Sequence, residues 1–509
     1  MSLGVELEIY RHLFAACAEE MGVRLMRSAF SPNIKERLDF SCAVFDAEGS
    51  MIAQAAHIPV HLGSTPMSVA AAIAACPEAL ATGEMVLLND PYQGGTHLPD
   101  ITVVAPCLLP GQRRPQFYVA NRAHHADVGG ISPGSMPMST HIDEEGIRVP
   151  PTVLNDQLVQ RICDASRTPD ERRGDLRAQV AAARLGIERL TAMCHRRGLA
   201  EVGAQATGLQ DYSERRVRAA LGRLPDGSWS FQDFLDDDGF GAVDIPIHCT
   251  LSIRGDEALV DFSGSSGAVQ GSVNAVRAIT VSAVTYALRC VLGDDIPANS
   301  GAMRPVTVVT EPGSVVDARY PSAVAAGNVE TSQRITDCVF GALAQVLPDR
   351  VPAASCGSMN NVTIGGEGFA YYETLAGGAG GGPDGPGGSA VHTHMTNTLN
   401  TPVEALEHAY PFRVLAYRIR DGSGGSGVHT GGDGLVRVYA FDVPAEVTLL
   451  TERRRRGPWG LGGGDGQPGS NLLRRAGEVT QLPGKVRLQV AAGDVLEIHT
   501  PGGGGWSPR

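Results

Sequence analysis

Residues 120–130 read A-N-R-A-H-H-A-D-V-G-G: an apolar run gives way to two histidines and an aspartate, and two glycines follow. The run over 116–120 predicts a strand, and the glycines behind it predict a turn. His124, His125 and Asp127 then stand at the end of a rigid element, where metal sites and active sites are often built.

Outward from this stretch, further short strands are expected over 40–45, 85–88 and 101–109. Helices are expected over 1–30 and around 67–80. Thr168-Pro169-Asp170-Glu171 has the form of a capping box with proline at the first helical position. Behind it Leu176, Val180, Ala183, Ile187, Leu190 and Cys194 alternate four and three apart, and Gly198 supplies the stop. The stretch C-T-L-S-I-R-G-D-E-A-L-V-D-F (249–262) predicts a hairpin turning at Gly255-Asp256. Helices follow over 282–292 and 332–347, and strands over 435–443 and 446–450. No period of 20–50 residues recurs, so the chain is not a solenoid.

The fold class expected is mixed α/β and multi-domain, because 509 residues are too many for a single core. An α/β region carrying the metal or active site is assigned to 1–200 and a central α+β region to 201–410. A β-rich, glycine-rich region is assigned to 411–509.

Composition narrows the function. A net charge of −13 argues against nucleic-acid or anionic-membrane partners, and 5% aromatics leave few stacking platforms. No apolar run approaches the roughly 18–20 residues of a membrane helix. The N-terminus lacks the basic start of a signal peptide, and ten scattered cysteines with no C-x-x-C pair fit reduced thiols. A cytoplasmic location is the expectation. The 63 glycines cluster in runs at 376–388, 421–427, 460–466 and 501–506. Flexible linkers are one reading. The runs alternate with dense, specific sequence, so tight loops at close backbone approaches are expected instead.

Histidine placement is the first chemical signal. Six of the 14 histidines, His57, His61, His97, His124, His125 and His141, lie within 57–141 among interleaved carboxylates. Mixed imidazole and carboxylate donors suit a divalent metal such as Zn, Mn or Fe. The candidate ligands are His124, Asp127 and His141 with one of His57 or His61, His57 being the one taken forward. The proline- and glycine-bearing stretch N-D-P-Y-Q-G-G-T-H-L-P-D (89–100) reads as a rigid loop. Its Asp90, His97 and Asp100 are candidate acid–base groups, and a turn capped by Asn89 and Asp90 is the plainer account.

Other motifs carry less. Gly130-Ile131-Ser132-Pro133-Gly134 fits G-x-S-x-G, yet Pro133 has no N–H to lend an oxyanion hole. Gly464–Gly469 fits G-x-G-x-x-G without joining a strand to a helix. No G-x-x-x-x-G-K-[ST] occurs, and the two lysines are Lys35 and Lys485. The run Arg453–Arg456 reads as a solvated face or an anion site. The segment 327–334 reads as a helix start that caps itself or holds an anion. V-H-T-H-M-T-N-T (391–398) either lines a cleft with the N-terminal histidines or is a hydrogen-bonded strand.

Together these stretches resemble the B component of the hydantoinase/oxoprolinase family. The resemblance rests on N-I-K-E-R-L-D-F-S (33–41), H-I-P-V-H-L-G-S (57–64), N-D-P-Y-Q-G-G-T-H-L-P-D-I-T (89–102) and H-H-A-D-V-G-G (124–130). It continues in P-G-S-M-P (133–137), E-E-G-I-R-V-P-P (144–151), G-N-V-E-T-S-Q-R-I-T-D (327–337), V-H-T-H-M-T-N-T (391–398), G-G-D-G-L-V-R (431–437) and T-P-G-G-G-G (500–505). It implies a hetero-oligomer with a larger hydantoinase A-type subunit that binds ATP, the pair hydrolysing five-membered cyclic amides such as hydantoins or 5-oxoproline. Activation of the ring by ATP-derived phosphate on the A-type partner, and its opening by a water activated at the metal, are implied with it. His124 and Asp127 are the ligands it supports first, then His141, then His57. The pattern departs at Ala123, where glycine is expected. A component of an acetone- or acetophenone-type carboxylase is the alternative, and a non-catalytic scaffold for the A-type partner is a third.

Overall fold

The computed structural model of the protein describes residues 3–55, 57–293 and 295–508. It is mixed α/β, with 32% helix and 26% strand spread over several sheets.

The first sheet holds β1 (Phe40–Asp46), β2 (Met51–Gln54), β3 (Val86–Leu88), β4 (Asp100–Cys107), β5 (Phe117–His124) and β6 (Thr152–Val153). Their order is β2-β1-β5-β4-β3-β6, and every neighbouring pair is antiparallel. Both central strands, β4 and β5, are buried along their whole length. Helices cover the two faces. Val103, Ala105 and Val119 face the core shared with helices Leu3–Ser28 and Pro169–Arg197, whereas Val104, Tyr118 and Ala120 pack with Val69 and Ala72 of helix Thr65–Ala75. A strand buried on both sides reads as a continuous apolar run.

The sequence places the end of β5 near Ala120, but the strand continues to His124. Asn121 and Arg122 lie in it fully buried because their polar groups are met. Asn121 bonds Gln179, and the Arg122 guanidinium donates to the hydroxyls of Thr102, Ser64 and Ser68. The expected helix over 67–80 breaks into Thr65–Ala75 and Pro77–Ala81, since Pro77 cannot continue the first. Helix Pro169–Arg197 starts at the expected proline, yet Thr168 makes no side-chain cap. Gly198 ends it at φ 88°, a conformation a side chain would strain.

The second sheet, of β7 (Gly227–Asp237), β8 (Val243–Arg254), β9 (Glu257–Asp261) and β10 (Val306–Val309), runs β10-β9-β8-β7 and contains the expected hairpin at Gly255. Helices Arg277–Leu292 and Ser332–Leu343 follow, the latter entered through a π-turn, Gly327–Thr331. The remaining strands form two sheets. β11 (Asn361–Gly366) and β12 (Phe369–Thr374) join β15 (Ala445–Leu450) and β18 (Lys485–Val490). β13 (Phe412–Arg420) and β14 (Gly434–Phe441) join β16 (Ser470–Arg475), β17 (Glu478–Leu482) and β19 (Val495–His499).

The glycine runs are packed backbone, not linkers. Hydrogen bonds tie one run to the next: Gly378 N–H to Pro501 C=O, Gly425 N–H to Gly503 C=O, and Gly505 N–H to Gly464 C=O. The run Arg453–Arg456 is divided between the interior and a solvated face. Arg453 is buried against Asp233 and Asp337 at 2.6 and 2.8 Å, and the part-buried Arg454 donates its backbone N–H to Asp236. Arg455 and Arg456 point outward to Asp244. The cysteines are free and mostly buried. Among the described residues, no helix is long and apolar enough to cross a membrane.

Candidate active site

Three neighbouring strands of the first sheet end at one place. Asp100, the first residue of β4, stands directly across from His124, the last of β5. Asp39 immediately precedes β1, and its carbonyl accepts the His124 N–H at 3.0 Å. His97 enters from the 89–100 loop, and His61 from the 3₁₀ turn Pro59–His61. The ring nitrogens His61 Nε2 and His97 Nε2 both lie 3.4 Å from Asp100 Oδ2, and the rings of His97 and His124 meet edge to face at 5.0 Å.

Surrounding groups fix the ring orientations. The Ala325 carbonyl can only accept, so His97 holds its proton on Nδ1, 3.3 Å away. Its Nε2 lone pair therefore turns inward, where Asn328 Nδ2 donates to it at 3.0 Å. Ser41 Oγ lies 2.8 Å from His61 Nδ1. Asn33 holds its carbonyl oxygen toward Arg37 and its amide toward His124 Nδ1 at 3.2 Å, which leaves Nε2–H of His124 aimed elsewhere. The His124 ring is stacked on Tyr372 at 4.6 Å. His124 Nε2 and Asp100 Oδ1 are both buried without a hydrogen-bond partner.

Burial sets the charge states. It drives His124 well below the usual imidazole range, with His97 adding to the effect, and lowers His61 against the pull of Asp100. Burial by itself would raise Asp100, but His97 and His61 hold it well below the usual carboxylate value. Asp39, buried and close to Asp100, is pushed up to about 6 although Arg37 opposes the shift. Burial thus keeps His124 and His61 toward the neutral form while the Asp100 carboxylate stays ionised. Such an arrangement can take up a proton or a cation, and can donate to an oxyanion.

Asp39, His61, Asp100, His124 and Asn328 line a pocket of about 20 Å³. Met395, Thr396 and Thr398 close it, so the 391–398 segment does share a cleft with the N-terminal histidines.

Of the residues singled out from sequence, His61, His97, Asp100 and His124 converge here. Asp90 does not: it caps the turn Pro91–Gln93 and pairs with Arg148 at 3.0 Å, the plainer account of that loop. Asp127 also turns away. Its carboxylate accepts from the N–H groups of Gly129, Gly134 and Arg167 and pairs with the Arg167 guanidinium at 3.1 Å, which staples the glycine turn to the start of helix Pro169–Arg197. His141 is a half-exposed N-cap of the turn Ile142–Glu144. His57 accepts the Cys42 N–H and packs edge-on against Phe40, outside the cluster. Among the described residues, no group of three or more His, Cys, Asp or Glu side chains stands ready to hold a metal ion.

Sequence reading missed Asp39, Asn33, Asn328 and Tyr372. Asn328 carried one usable signal: it lies in the 327–334 segment, which forms a π-turn of the kind found at functional sites.

The profile of the hydantoinase B/oxoprolinase family matches residues 4–509. The chain is 40% identical to 5-oxoprolinase 1 of Arabidopsis thaliana over 99% of its own length and 42% of the relative's. It is 31% identical to the B component of a putative D-/L-hydantoinase of Pseudomonas sp. (strain NS671), covering 96% of this chain and 87% of the other. In three dimensions it is similar to an ATP-dependent caprolactamase from Pseudomonas jessenii, with a TM-score of 0.92, 25% identity and coverage of 99% and 91%. It shares its fold with acetone carboxylase at a TM-score of 0.90 and 16% identity, over 99% and 76% of the two chains. The chain spans about two fifths of the length of the 5-oxoprolinases it matches.

Proposed function

Because the chain belongs to the hydantoinase B/oxoprolinase family, we propose that it is the ring-opening component of an ATP-dependent cyclic-amide hydrolase, paired with a nucleotide-binding chain of the A type. The observation that carries this reading is the convergence of His61 Nε2 and His97 Nε2 on Asp100 Oδ2, each at 3.4 Å, beside a pocket where Asp100 Oδ1 and His124 Nε2 are buried without hydrogen-bond partners. Polar groups buried without a partner cost free energy unless a ligand meets them.

A mixed nitrogen and oxygen donor set suits Zn, Mn or Fe. His61, His97 and Asp100 would hold the cation, in place of the present His–Asp contacts, and the unpartnered Asp100 Oδ1 adds a donor. Such a cation lowers the pKa of water and offsets negative charge. The chain's own groups do the rest. The Ala325 carbonyl fixes the His97 ring with its Nε2 lone pair turned inward, and the Asp39 carboxylate accepts the proton of the attacking water. His124 presents Nε2–H to the oxygen that gains charge as the amide carbon becomes tetrahedral. Asp39, pushed up to about 6, is the group closest to giving a proton to the departing nitrogen near neutral pH.

The phosphate chemistry is assigned to the partner, since the sequence carries no phosphate-loop motif. The 5-oxoprolinases that this chain matches over about two fifths of their length have ample chain for a nucleotide-binding part. The test is to combine the purified chain with an A-type partner and ATP and to follow opening of 5-oxoproline, hydantoin and caprolactam. Turnover is expected in the wild type and absent in His97→Ala and Asp100→Asn variants that melt normally. Bound metal, counted per chain, should fall in the same variants. Fixation of bicarbonate onto a ketone in place of ring opening would sink the reading.

A further inference from the structure

A pocket of about 20 Å³ has room for little more than one water, which needs roughly 10–15 Å³. A five-membered ring is several times larger, so the substrate has to bind beside this pocket and reach into it. A chamber of about 370 Å³ lies back to back with it. The partition consists of two chain segments, 57–60 and 395–398. Ile58, Val60, Met395, Thr396 and Thr398 face the inner pocket, whereas His57, Pro59 and Asn397 face the outer chamber. Ile58 and Val60 alternate with His57 and Pro59, and Asn397 sits between Thr396 and Thr398, so the partition is one layer of chain thick. Val60 N–H to the Met395 carbonyl and Asn397 Nδ2 to the His57 carbonyl join its halves, both at 3.3 Å, beyond the usual range for N–H···O bonds.

We propose that the outer chamber is the docking site for the cyclic-amide substrate, and that the 57–60/395–398 partition parts to bring the ring amide against His61, His97 and Asp100. This rests on the ring-opening reading above. The chamber's lining matches a small ring with one amide edge. Gln54 and Asn397 supply amide groups around the apolar surface of Pro59 and Leu62, the usual composition of a small-molecule site. It explains why His57, in a motif-bearing stretch, turns away from the other histidines. It also assigns the 391–398 segment two faces with two tasks.

The decisive variant is Asn397→Trp. Position 397 is exposed, so the indole can fill the chamber without disturbing the core, and a melting curve checks that it does not. Binding of 5-oxoproline and of hydantoin to the full chain is measured without ATP by saturation-transfer NMR and calorimetry. At least one ring is expected to bind the wild type, and to bind Asn397→Trp at least tenfold more weakly. In the assay with partner and ATP, Asn397→Trp should raise KM or abolish turnover. Equal binding by Asn397→Trp and the wild type overturns the chamber while leaving the ring-opening reading intact. So does the absence of binding of either ring to the wild type. Binding without turnover in the complete assay does the reverse.

Discussion

Replacing Gly378 by alanine should cost the protein much of its stability, whereas the same change seven residues later, Gly385→Ala, should cost almost nothing. Both glycines belong to one run that reads as low complexity. A Cβ on Gly378 would lie 1.9 Å from the Gly432 carbonyl oxygen and 2.4 Å from the Gly503 nitrogen. Ordinary C···O contacts begin near ~3.3 Å, so the overlap is roughly 1.4 Å. Gly432 O and Gly503 N are themselves hydrogen-bonded at 2.8 Å, and the methyl would land on that bond. All the obstructing atoms are backbone, so no side chain can yield. Overpacking costs about 1–3 kcal/mol, and a broken buried hydrogen bond adds about 1–3 kcal/mol, giving a loss of about 2–6 kcal/mol. Gly385 has nothing within 4 Å of such a Cβ. The assay is urea unfolding followed by tryptophan fluorescence. Equal midpoints for the two variants would refute the view that the runs are packed backbone and restore the flexible-linker account.

The remaining predictions concern groups that hold the site. Glu145 Oε1 accepts from Ser139 Oγ and from the N–H groups of Val324 and Ala325, whose carbonyl orients His97. Glu145→Leu should therefore lower kcat about tenfold to a hundredfold with KM little changed. Glu145→Gln keeps an acceptor oxygen and should recover most of the loss; equal damage from both would show that Glu145 does not act through those N–H groups. Asp127→Ala should destabilise the fold by about 2–4 kcal/mol, since it orphans buried donors and the Arg167 guanidinium. Metal content per folded chain should stay at the wild-type level in that variant, and its loss would return Asp127 to the list of ligands.

Much of the fold was legible in the sequence because periodicity and punctuation are local. Pro169 and Gly198 bracket their helix, the apolar runs at 101–109 and 116–120 became β4 and β5, and Gly255 turns its hairpin. Where polar residues sit inside an apolar strand, local reading stopped short. Asn121 and Arg122 looked like a strand end because their partners, Gln179, Ser64, Ser68 and Thr102, lie 20 to 58 residues distant in separate elements.

The site divides the same way. Sequence by itself determined that imidazoles and carboxylates gather within the first 150 positions, which family the chain resembles, and that the glycine runs mark close approaches. Only tertiary structure decided which of those groups meet. Asp127 and His124 are three residues apart, yet the glycine turn carries one carboxylate to Arg167 while the strand register sets the other residue across from Asp100. Spacing along a chain fixes direction within one element. Convergence at a point depends on strand order, turn geometry and burial, which are properties of the packed whole.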